Sequence, residues 1–288
     1  MFIFQVIQLP RLEGLKTVIF SRRLMAFNQT FAPVGRYAKC FPVIVCSWDE
    51  STTGRSANDI ISTFHRVIDL YKNTTKIVLW LDNCAAQNKN WNLFLRLIPL
   101  KNSDNIKVEE LALKFFEPGL TFMAADSYHA AVERAMKPNP PVTYPDSTNV
   151  LQVAQSNVTV LDMKPEHFFE TQIHVSQYTL NKMKPRPYMD QIKQVVIRKG
   201  SYKVMYGESL ECDAVLESCL LFSKKQLQTI TSNTFSLKTN LKFKQRAQGI
   251  GQSRKKELLN VILPVIDEQK ISFWENMAEK ESEDDEII

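Results

Sequence analysis

One stretch decides the fold: Lys76-Ile-Val-Leu-Trp-Leu-Asp82-Asn-Cys-Ala-Ala-Gln-Asn-Lys-Asn90, where an apolar run ends on an acid and continues as polar chain. The run from Ile77 to Leu81 carries no charge, which is typical of a strand buried on both faces. Asp82 therefore follows the carboxyl end of a predicted strand. Ligands and metals bind at that end in open α/β sheets, so Asp82 is a candidate for chemistry.

Strand and helix signals alternate on both sides of this stretch, within residues 1–136. Runs rich in β-branched and aromatic residues predict strands at 2–9, 17–20, 24–27, 41–48 and 111–116. Ser56 and Asp59 form a capping box that opens a helix with a 3.6-residue apolar period. Two further helices are predicted, one from Trp91 to its stop near Pro99 and one over 124–136.

This order of elements predicts an α/β fold (mixed α+β) of ribonuclease H-like architecture, a mixed sheet flanked by helices. The proline-rich stretch 137–149 is predicted to be a loop or a domain boundary. Residues 150–235 then form a smaller α+β extension, with strands at 158–163, 194–198 and 202–206. A basic, helical segment (236–278) and an acidic tail (279–288) complete the predicted organisation.

Composition limits the class of protein. The chain has 288 residues, 44% of them hydrophobic, so it can bury a full core. Its five cysteines include no Cys-x-x-Cys pair, which argues against a zinc site or a disulfide framework and favours an intracellular location, nucleus or cytoplasm. No apolar run reaches the roughly 18 residues of a membrane span, so no membrane partner is expected.

Acidic residues recur where a metal site would need them. Asp126, His129 and Glu133 are spaced i, i+3 and i+7 and share one face of a predicted helix, and Asp49-Glu50 follow another apolar strand. Two Mg²⁺ or Mn²⁺ ions need such clustered carboxylates for phosphodiester chemistry. The alternatives are that Asp82 caps the next helix, that Asp126 complements a helix dipole beside a solvated His129 and Glu133, and that Asp49-Glu50 form a turn.

Charge is unevenly placed along the carboxyl-terminal part of the chain. The segment from Leu241 to Lys256 contains six basic residues and no acid, which suggests contact with nucleic-acid phosphates. They are Lys242, Lys244, Arg246, Arg254, Lys255 and Lys256. The alternative is an ordinary solvated linker. The acidic tail has the composition of a disordered terminus.

These motifs together resemble a domain-of-unknown-function family of transposon-related proteins in animal genomes, with a ribonuclease H-like, DDE-transposase-type core. The block Asp82 to Asn90 is the most specific match. The supporting matches are Leu9-Pro-Arg-Leu12, Phe27-Asn-Gln-Thr30, Trp48-Asp-Glu50 with Gly54-Arg55, Gly119-Leu-Thr-Phe-Met-Ala-Ala-Asp-Ser-Tyr-His129, Gly249-Ile-Gly251, Arg254-Lys-Lys256 and Phe273-Trp-Glu275.

The resemblance implies that Asp82 and Asp126 are surviving ligands of a Mg²⁺ or Mn²⁺ site, with Asp49, Glu50, Glu133 and His129 as further contributors. Relatives carry the first acid of the triad on the first central strand, at a place that falls near Phe2, and here no acid precedes Leu12. Either the gene product is truncated or the triad is broken. The expected function is therefore that of an inactive or impaired transposase relative, with DNA as a candidate partner and no small-molecule cofactor. The alternative is a non-catalytic nucleic-acid-binding or protein-interaction module.

Overall fold

The computed structural model describes residues 2–12, 22–36, 38–84, 88–117, 124–170, 187–211, 214–231 and 242–280. The described residues form nine strands: β1 (Phe2–Leu9), β2 (Leu24–Phe31), β3 (Val43–Asp49), β4 (Lys76–Leu81), β5 (Glu110–Phe115), β6 (Val158–Asp162), β7 (Gln194–Arg198), β8 (Val204–Gly207) and β9 (Glu217–Cys219). They also form seven α-helices: α1 (Ala57–Leu70), α2 (Trp91–Lys101), α3 (Ala124–Met136), α4 (Tyr144–Val153), α5 (Lys224–Thr231), α6 (Gln252–Ile262) and α7 (Glu268–Glu275).

The strands form two mixed sheets flanked by helices, which confirms the predicted α/β class. The first sheet has the order β1-β2-β3-β6, with antiparallel pairs except for the parallel pair of β3 and β6. The second has the order β4-β5-β7-β8-β9, and only β4 and β5 are parallel. β1 lies next to β4, so the two sheets meet where the first strand and the Asp82 strand come together.

Alternation along the strands sorts the apolar side chains onto two faces. Phe27 and Trp48 of the first sheet share one core with Leu79 and Leu81 of the second, covered by α1 and α2. The opposite face of the first sheet packs against α3, α4, α6 and α7 and includes the fully buried Trp274. One core thus continues beneath both sheets, and the second covers the first sheet alone.

Local signals account well for the first helix. The Ser56 hydroxyl accepts a hydrogen bond from the Asp59 amide at 3.3 Å, and the Asp59 carboxylate accepts one from the Ser56 amide at 2.9 Å, as the capping box predicted. The second helix differs from the prediction, because it continues through Pro99 to Lys101. Pro99 lacks an amide hydrogen but lies in the last turn, where Asn102 closes the helix by donating to the Ile98 carbonyl.

Several elements cross the predicted boundaries between a core, a proline-rich loop and an extension. α4 begins at Tyr144 inside the proline-rich stretch, where Thr143 and Asp146 form a capping box and Pro145 occupies the first turn, in which a missing amide is tolerated. β6 and β7, predicted to lie in a separate extension, pair with β3 and β5. The strand predicted at 17–20 lies outside the described residues.

β4 is not buried on both faces as its sequence suggested. Leu79 and Leu81 are buried, whereas Lys76 and Val78 are exposed and Trp80 is half-buried. After Lys76, the outer face of β4 carries the uncharged residues Val78 and Trp80. The Trp80 ring stacks on Phe116 at 5.2 Å and lies under the Lys114 ammonium. Among the described residues no helix is long and apolar enough to cross a membrane.

Candidate functional site

Asp82 lies directly after β4, where the sequence placed it. The Asn88 carboxamide donates a hydrogen bond to its Oδ1, and the amides of Asn88 and Lys89 both donate to the Cys84 carbonyl, at 3.0 and 3.1 Å. The next helix is capped by Asn90, whose Oδ1 accepts from the Leu93 amide at 2.9 Å. The alternative that Asp82 caps this helix is therefore wrong.

The predicted polar face of α3 is turned toward the first sheet. His129 Nε2 lies 3.0 Å from the Thr30 hydroxyl, and Glu133 Oε1 accepts a hydrogen bond from Gln5 Nε2 at 3.1 Å. Burial lowers the pKa of His129 to about 4, and the charges of Asp126 and Glu133 act in the opposite direction. All three residues therefore share one face, with His129 neutral at pH 7.

A row of hydrogen bonds joins α3 to the first two strands. Asn28 Nδ2 donates to Gln5 Oε1 at 3.1 Å, and the Thr30 hydroxyl donates to Asn28 Oδ1 at 2.9 Å. Together with the contacts of His129 and Glu133 they form a network of five side chains on one face of β1 and β2. In the sequence, this network is visible only as the alternation of Gln5, Asn28 and Thr30 with apolar residues. That alternation predicts strands but does not by itself predict a site.

A guanidinium occupies the outer side of this network. Arg11 Nη1 lies 2.9 Å from Glu133 Oε2 and 3.4 Å from the Met136 sulfur, and the Arg11 amide donates to the Pro141 carbonyl at 2.8 Å. The Glu133 carboxylate is thus bound by an amide on one oxygen and by a cation on the other. Because the two side chains are 37% and 47% exposed, this is a solvent-accessible ion pair that occupies one oxygen of the carboxylate.

From the placement of β4 and α3 we infer that Asp82 and Asp126 lie toward different ends of the strands. The first residues of β4 and the first residues of α3 line two cavities that share Ala32, Pro33 and Phe41, so both elements begin at the same edge of the sheets. Asp82 follows the last residue of β4, and six residues of strand span about 20 Å. Asp126 is in the first turn of α3 and therefore stays at the starting edge. A carboxylate in the first turn complements the helix dipole, which is the alternative interpretation of Asp126.

Glu133 is closer than Asp126 to the level of Asp82. The seven-residue step from Asp126 to Glu133 advances about 10 Å along α3, in the direction in which β1 and β4 run. Because Leu79 and Leu81 face the shared core, alternation places Asp82 on the other face of the second sheet, and α3 packs on the corresponding face of β1, the strand next to β4. Gln5, Asp82 and Glu133 therefore share one face where β1 meets β4.

Asp49 and Glu50 have structural roles. The Asp49 carboxylate accepts hydrogen bonds from the Ser51 amide, the Ser51 hydroxyl and the Thr52 amide at 2.8, 2.6 and 3.0 Å, so the turn interpretation is right. Burial raises the pKa of Asp49, against the effect of these hydrogen bonds. Glu50 is bound by both terminal nitrogens of Arg254, at 3.1 and 2.5 Å.

Three of the six basic residues that we expected to contact phosphates are used inside the molecule. Besides Arg254, Lys244 Nζ lies 2.8 Å from Asp59, and Lys255 Nζ bonds the Met277 carbonyl and the Glu279 carboxylate at 2.8 and 2.9 Å. The remaining three, Lys242, Arg246 and Lys256, are exposed. The segment is therefore fastened to the core rather than being a solvated linker.

Within the part of the chain that the structure describes, no group of three or more His, Cys, Asp and Glu residues is arranged to hold a metal ion. No protein-family model, no curated protein and no solved structure matches this chain. Function is therefore inferred from the geometry of the site and from the resemblance of the sequence motifs.

Proposed function

We propose that this protein is a transposable-element-derived relative of DDE transposases, with a ribonuclease H-like core that no longer carries out metal-dependent strand transfer. The observation that carries the proposal is the binding of Glu133 by the Gln5 amide and the Arg11 guanidinium. β1 pairs with β2 and contacts β4, and the resemblance expects the first acid of the triad on this strand, near Phe2. Gln5, three residues further along the strand, is the neutral side chain that faces Glu133.

The residues present do not fit a pair of divalent cations. Mg²⁺ and Mn²⁺ sites for phosphoryl transfer need several carboxylate oxygens free to bridge two ions. Here the oxygens of Glu133 are hydrogen-bonded to Gln5 and Arg11, and Asp126 lies toward the other edge. Of the two acids predicted to hold the metal, only Asp82 follows the carboxyl end of a strand, where metal sites are expected. It accepts a hydrogen bond from Asn88. No catalytic step is therefore assigned to a metal.

Nicking of supercoiled plasmid tests the loss of catalysis. We expect the protein to leave the plasmid intact with Mg²⁺ or Mn²⁺, and Asp82→Asn to behave like the unaltered protein. Metal-dependent nicking that disappears in Asp82→Asn would show that the site is active and would overturn the proposal.

A gain-of-binding experiment tests the site itself. The double variant Gln5→Asp with Arg11→Ala replaces the amide by an acid and removes the competing guanidinium. We expect it to bind Mn²⁺ at least about tenfold more tightly than the unaltered protein, an energy difference of about 1.4 kcal/mol. Gln8→Asp with Arg11→Ala is the matched control, because Gln8 lies on the same strand with its side chain on the other face. Equal Mn²⁺ binding by the two double variants would mean that an acid at position 5, facing Glu133, does not complete a metal site.

A second candidate function is nucleic-acid binding without chemistry, which the exposed Lys242, Arg246 and Lys256 favour. Affinity for a labelled DNA duplex should then fall steeply between about 50 and 200 mM salt. Protein binding releases cations from the DNA phosphates, and added salt opposes that release. Lys242→Glu with Lys256→Glu should weaken binding and flatten the salt dependence. Affinity that is independent of salt would count against this function.

A further inference from the structure

A cavity of about 530 Å³ lies on the face of β1 and β2 opposite to the Gln5 network. Val6, Met25 and Phe27 form its apolar wall, and cross-strand pairing of Val6 with Phe27 places both side chains on that face. The cavity is within the range of about 300–1,000 Å³ that small-molecule sites occupy. Because the cavity and the Gln5 network are on different faces, ligand binding in the cavity does not depend on the proposed function.

Positive charge dominates the rim of this cavity. Arg55, Arg254 and Lys280 line it together with one acid, Glu50. Glu50 is already bound by both terminal nitrogens of Arg254, and its side chain is 17% exposed. Glu50 and Arg254 balance each other's charge. The charges of Lys280 and of the exposed Arg55 therefore leave the rim with a net positive charge.

Unused hydrogen-bond donors add to this charge. α6 begins at the cavity with Gly251 as its N-cap, so no side chain caps the helix, and its first turn contains no acid. The amides of an uncapped first turn attract anions. The Nε atom of Arg254 is buried without a hydrogen-bond partner among the described atoms. The carboxamides of Gln8 and Gln248 complete the rim; their oxygens accept hydrogen bonds from Arg23 and from the Gly54 amide, and their NH₂ groups can donate to a ligand.

We propose that this cavity binds a nucleotide, with its base against Val6, Met25 and Phe27 and its phosphate near Arg55, Lys280 and the first turn of α6. A nucleotide combines the two properties that the cavity selects, a flat apolar ring and a compact anion. The ring gains stability from leaving water against the apolar wall, and the phosphate gains charge-assisted hydrogen bonds. The NH₂ groups of Gln8 and Gln248 supply donors for the acceptor atoms of base edges.

Two sources share this chemistry, a free nucleoside phosphate and an unpaired nucleotide of a single strand. Calorimetric titration with the four nucleoside 5′-monophosphates, with the four nucleosides and with inorganic phosphate tests the chemistry itself. Competition of the bound monophosphate by a single-stranded oligonucleotide then identifies the source. A strand that displaces it indicates an unpaired nucleotide, and a strand that does not indicates a free one; both results support the site.

Arg55→Gln tests the position of the phosphate. We expect this change to lower the affinity for the tightest monophosphate at least tenfold. The matched control is Lys107→Gln, which removes an exposed charge from the turn before β5 and should leave the affinity unchanged. A second variant, Gln8→Trp, fills the cavity at an exposed rim position and should abolish binding while leaving the circular dichroism spectrum unchanged.

Three results would overturn the proposal. They are absence of binding by every monophosphate at millimolar concentration, equal affinity for phosphate alone and for the monophosphates, and equal effects of Arg55→Gln and Lys107→Gln. The Mn²⁺ experiment on Gln5 variants reports on the other face of the sheet, so the two proposals fail separately.

Discussion

At the scale of single residues, polar side chains inside the first sheet differ in how well they are satisfied. Gln29 is completely buried in β2, and neither its amide nitrogen nor its amide oxygen has a hydrogen-bond partner among the described residues. It pairs across the strands with Phe4 and Cys46. Gln5 lies on the other face of the first sheet, and both its amide nitrogen and its amide oxygen are hydrogen-bonded. The same residue type thus carries a desolvation penalty at one position and holds a network together at the other.

Gln29→Met should raise the free energy of unfolding by about 1–3 kcal/mol, because a thioether of similar volume removes the unsatisfied amide. Gln5→Met is the matched change and should lower it by about 1–2 kcal/mol, since Glu133 and Asn28 lose their partner. Urea denaturation of the two variants measures both effects. A destabilised Gln29→Met would show that the Gln29 amide is satisfied in solution.

His129 should make stability depend on pH. Its pKa is lowered to about 4 in the folded state from an ordinary value of 6.5, so between these values the unfolded chain binds more protons. Stability is therefore greatest above pH 6.5 and falls as the pH drops toward 4, by an amount on the order of 2 kcal/mol for this residue. His65, whose pKa burial also lowers to about 4, adds to the same trend.

The variant His129→Gln separates the two histidines. It removes one titrating group and keeps a carboxamide beside Thr30. The free energy of unfolding, measured by urea denaturation from pH 7 to 4, should decrease less steeply in the variant than in the unaltered protein. Parallel pH profiles would exclude His129 as a source of the pH dependence.

Residues that form the site were predictable where the signal is local. Asp82 could be placed at a strand end because an apolar run and the acid adjoin in sequence. Arg11 and Gln5 could not be connected with Glu133, because 122 and 128 residues separate the partners. Asp126 was chosen for its spacing from His129, but spacing along a helix does not say which end of the helix lies near β4.

At the scale of elements, the segment 242–250 is held against the core by backbone hydrogen bonds and by one buried ion pair. The Lys244 amide donates to the Phe168 carbonyl at 2.8 Å, and the Gly249 amide donates to the Ser51 carbonyl at 2.7 Å. The Lys244 ammonium reaches Asp59, whose side chain is 3% exposed and belongs to the capping box of α1. A basic segment in the sequence therefore fastens the first helix.

Lys244→Met should lower the free energy of unfolding by about 3 kcal/mol, because it leaves the buried Asp59 carboxylate without its cation. Lys242→Met is the matched control, an exposed lysine two residues away, and should change stability by less than about 0.5 kcal/mol. Thermal or urea denaturation distinguishes the two. Equal effects would show that the charge of Lys244 does not fasten the segment.

Elements with strong local signals were predicted with good bounds, and those set by packing were not. The capping box gave α1, and α3 has the predicted bounds, Ala124–Met136. α2 passes Pro99 because burial of Leu97, Ile98 and Leu100 outweighs the backbone hydrogen bond that the proline removes. The proline-rich stretch was predicted to end an element, although Pro145 instead begins α4, where proline is favoured.

At the scale of the whole molecule, strands far apart in the sequence pair across the predicted domain boundaries. β6 and β7 complete sheets that begin with β1 and β4, and pairing between distant strands leaves no mark on local composition. The class of fold followed from the order of strands and helices. Division of the strands between two sheets, with β1 beside β4, depended on long-range packing and could not be obtained from the sequence.

Distribution of charge over the whole chain leads to a prediction about the nucleotide cavity. Lys280 lines the cavity, and five acids follow it in the chain, at Glu281, Glu283, Asp284, Asp285 and Glu286. Acids tethered next to a cationic site compete with anionic ligands at a local concentration that is typically millimolar. Removal of residues 281–288 should therefore raise nucleotide affinity several-fold at low salt.

Salt identifies the cause of this effect. At about 0.5 M ionic strength charges are screened beyond roughly 4–5 Å, so the truncated and full-length chains should then bind nucleotide equally. A full-length variant with the five acids changed to amides should match the truncated chain at low salt, because it removes the charge and keeps the chain length. If truncation raised affinity and the amide variant did not, the tail would act through its bulk; if neither changed affinity at low salt, the acids would not reach the cavity.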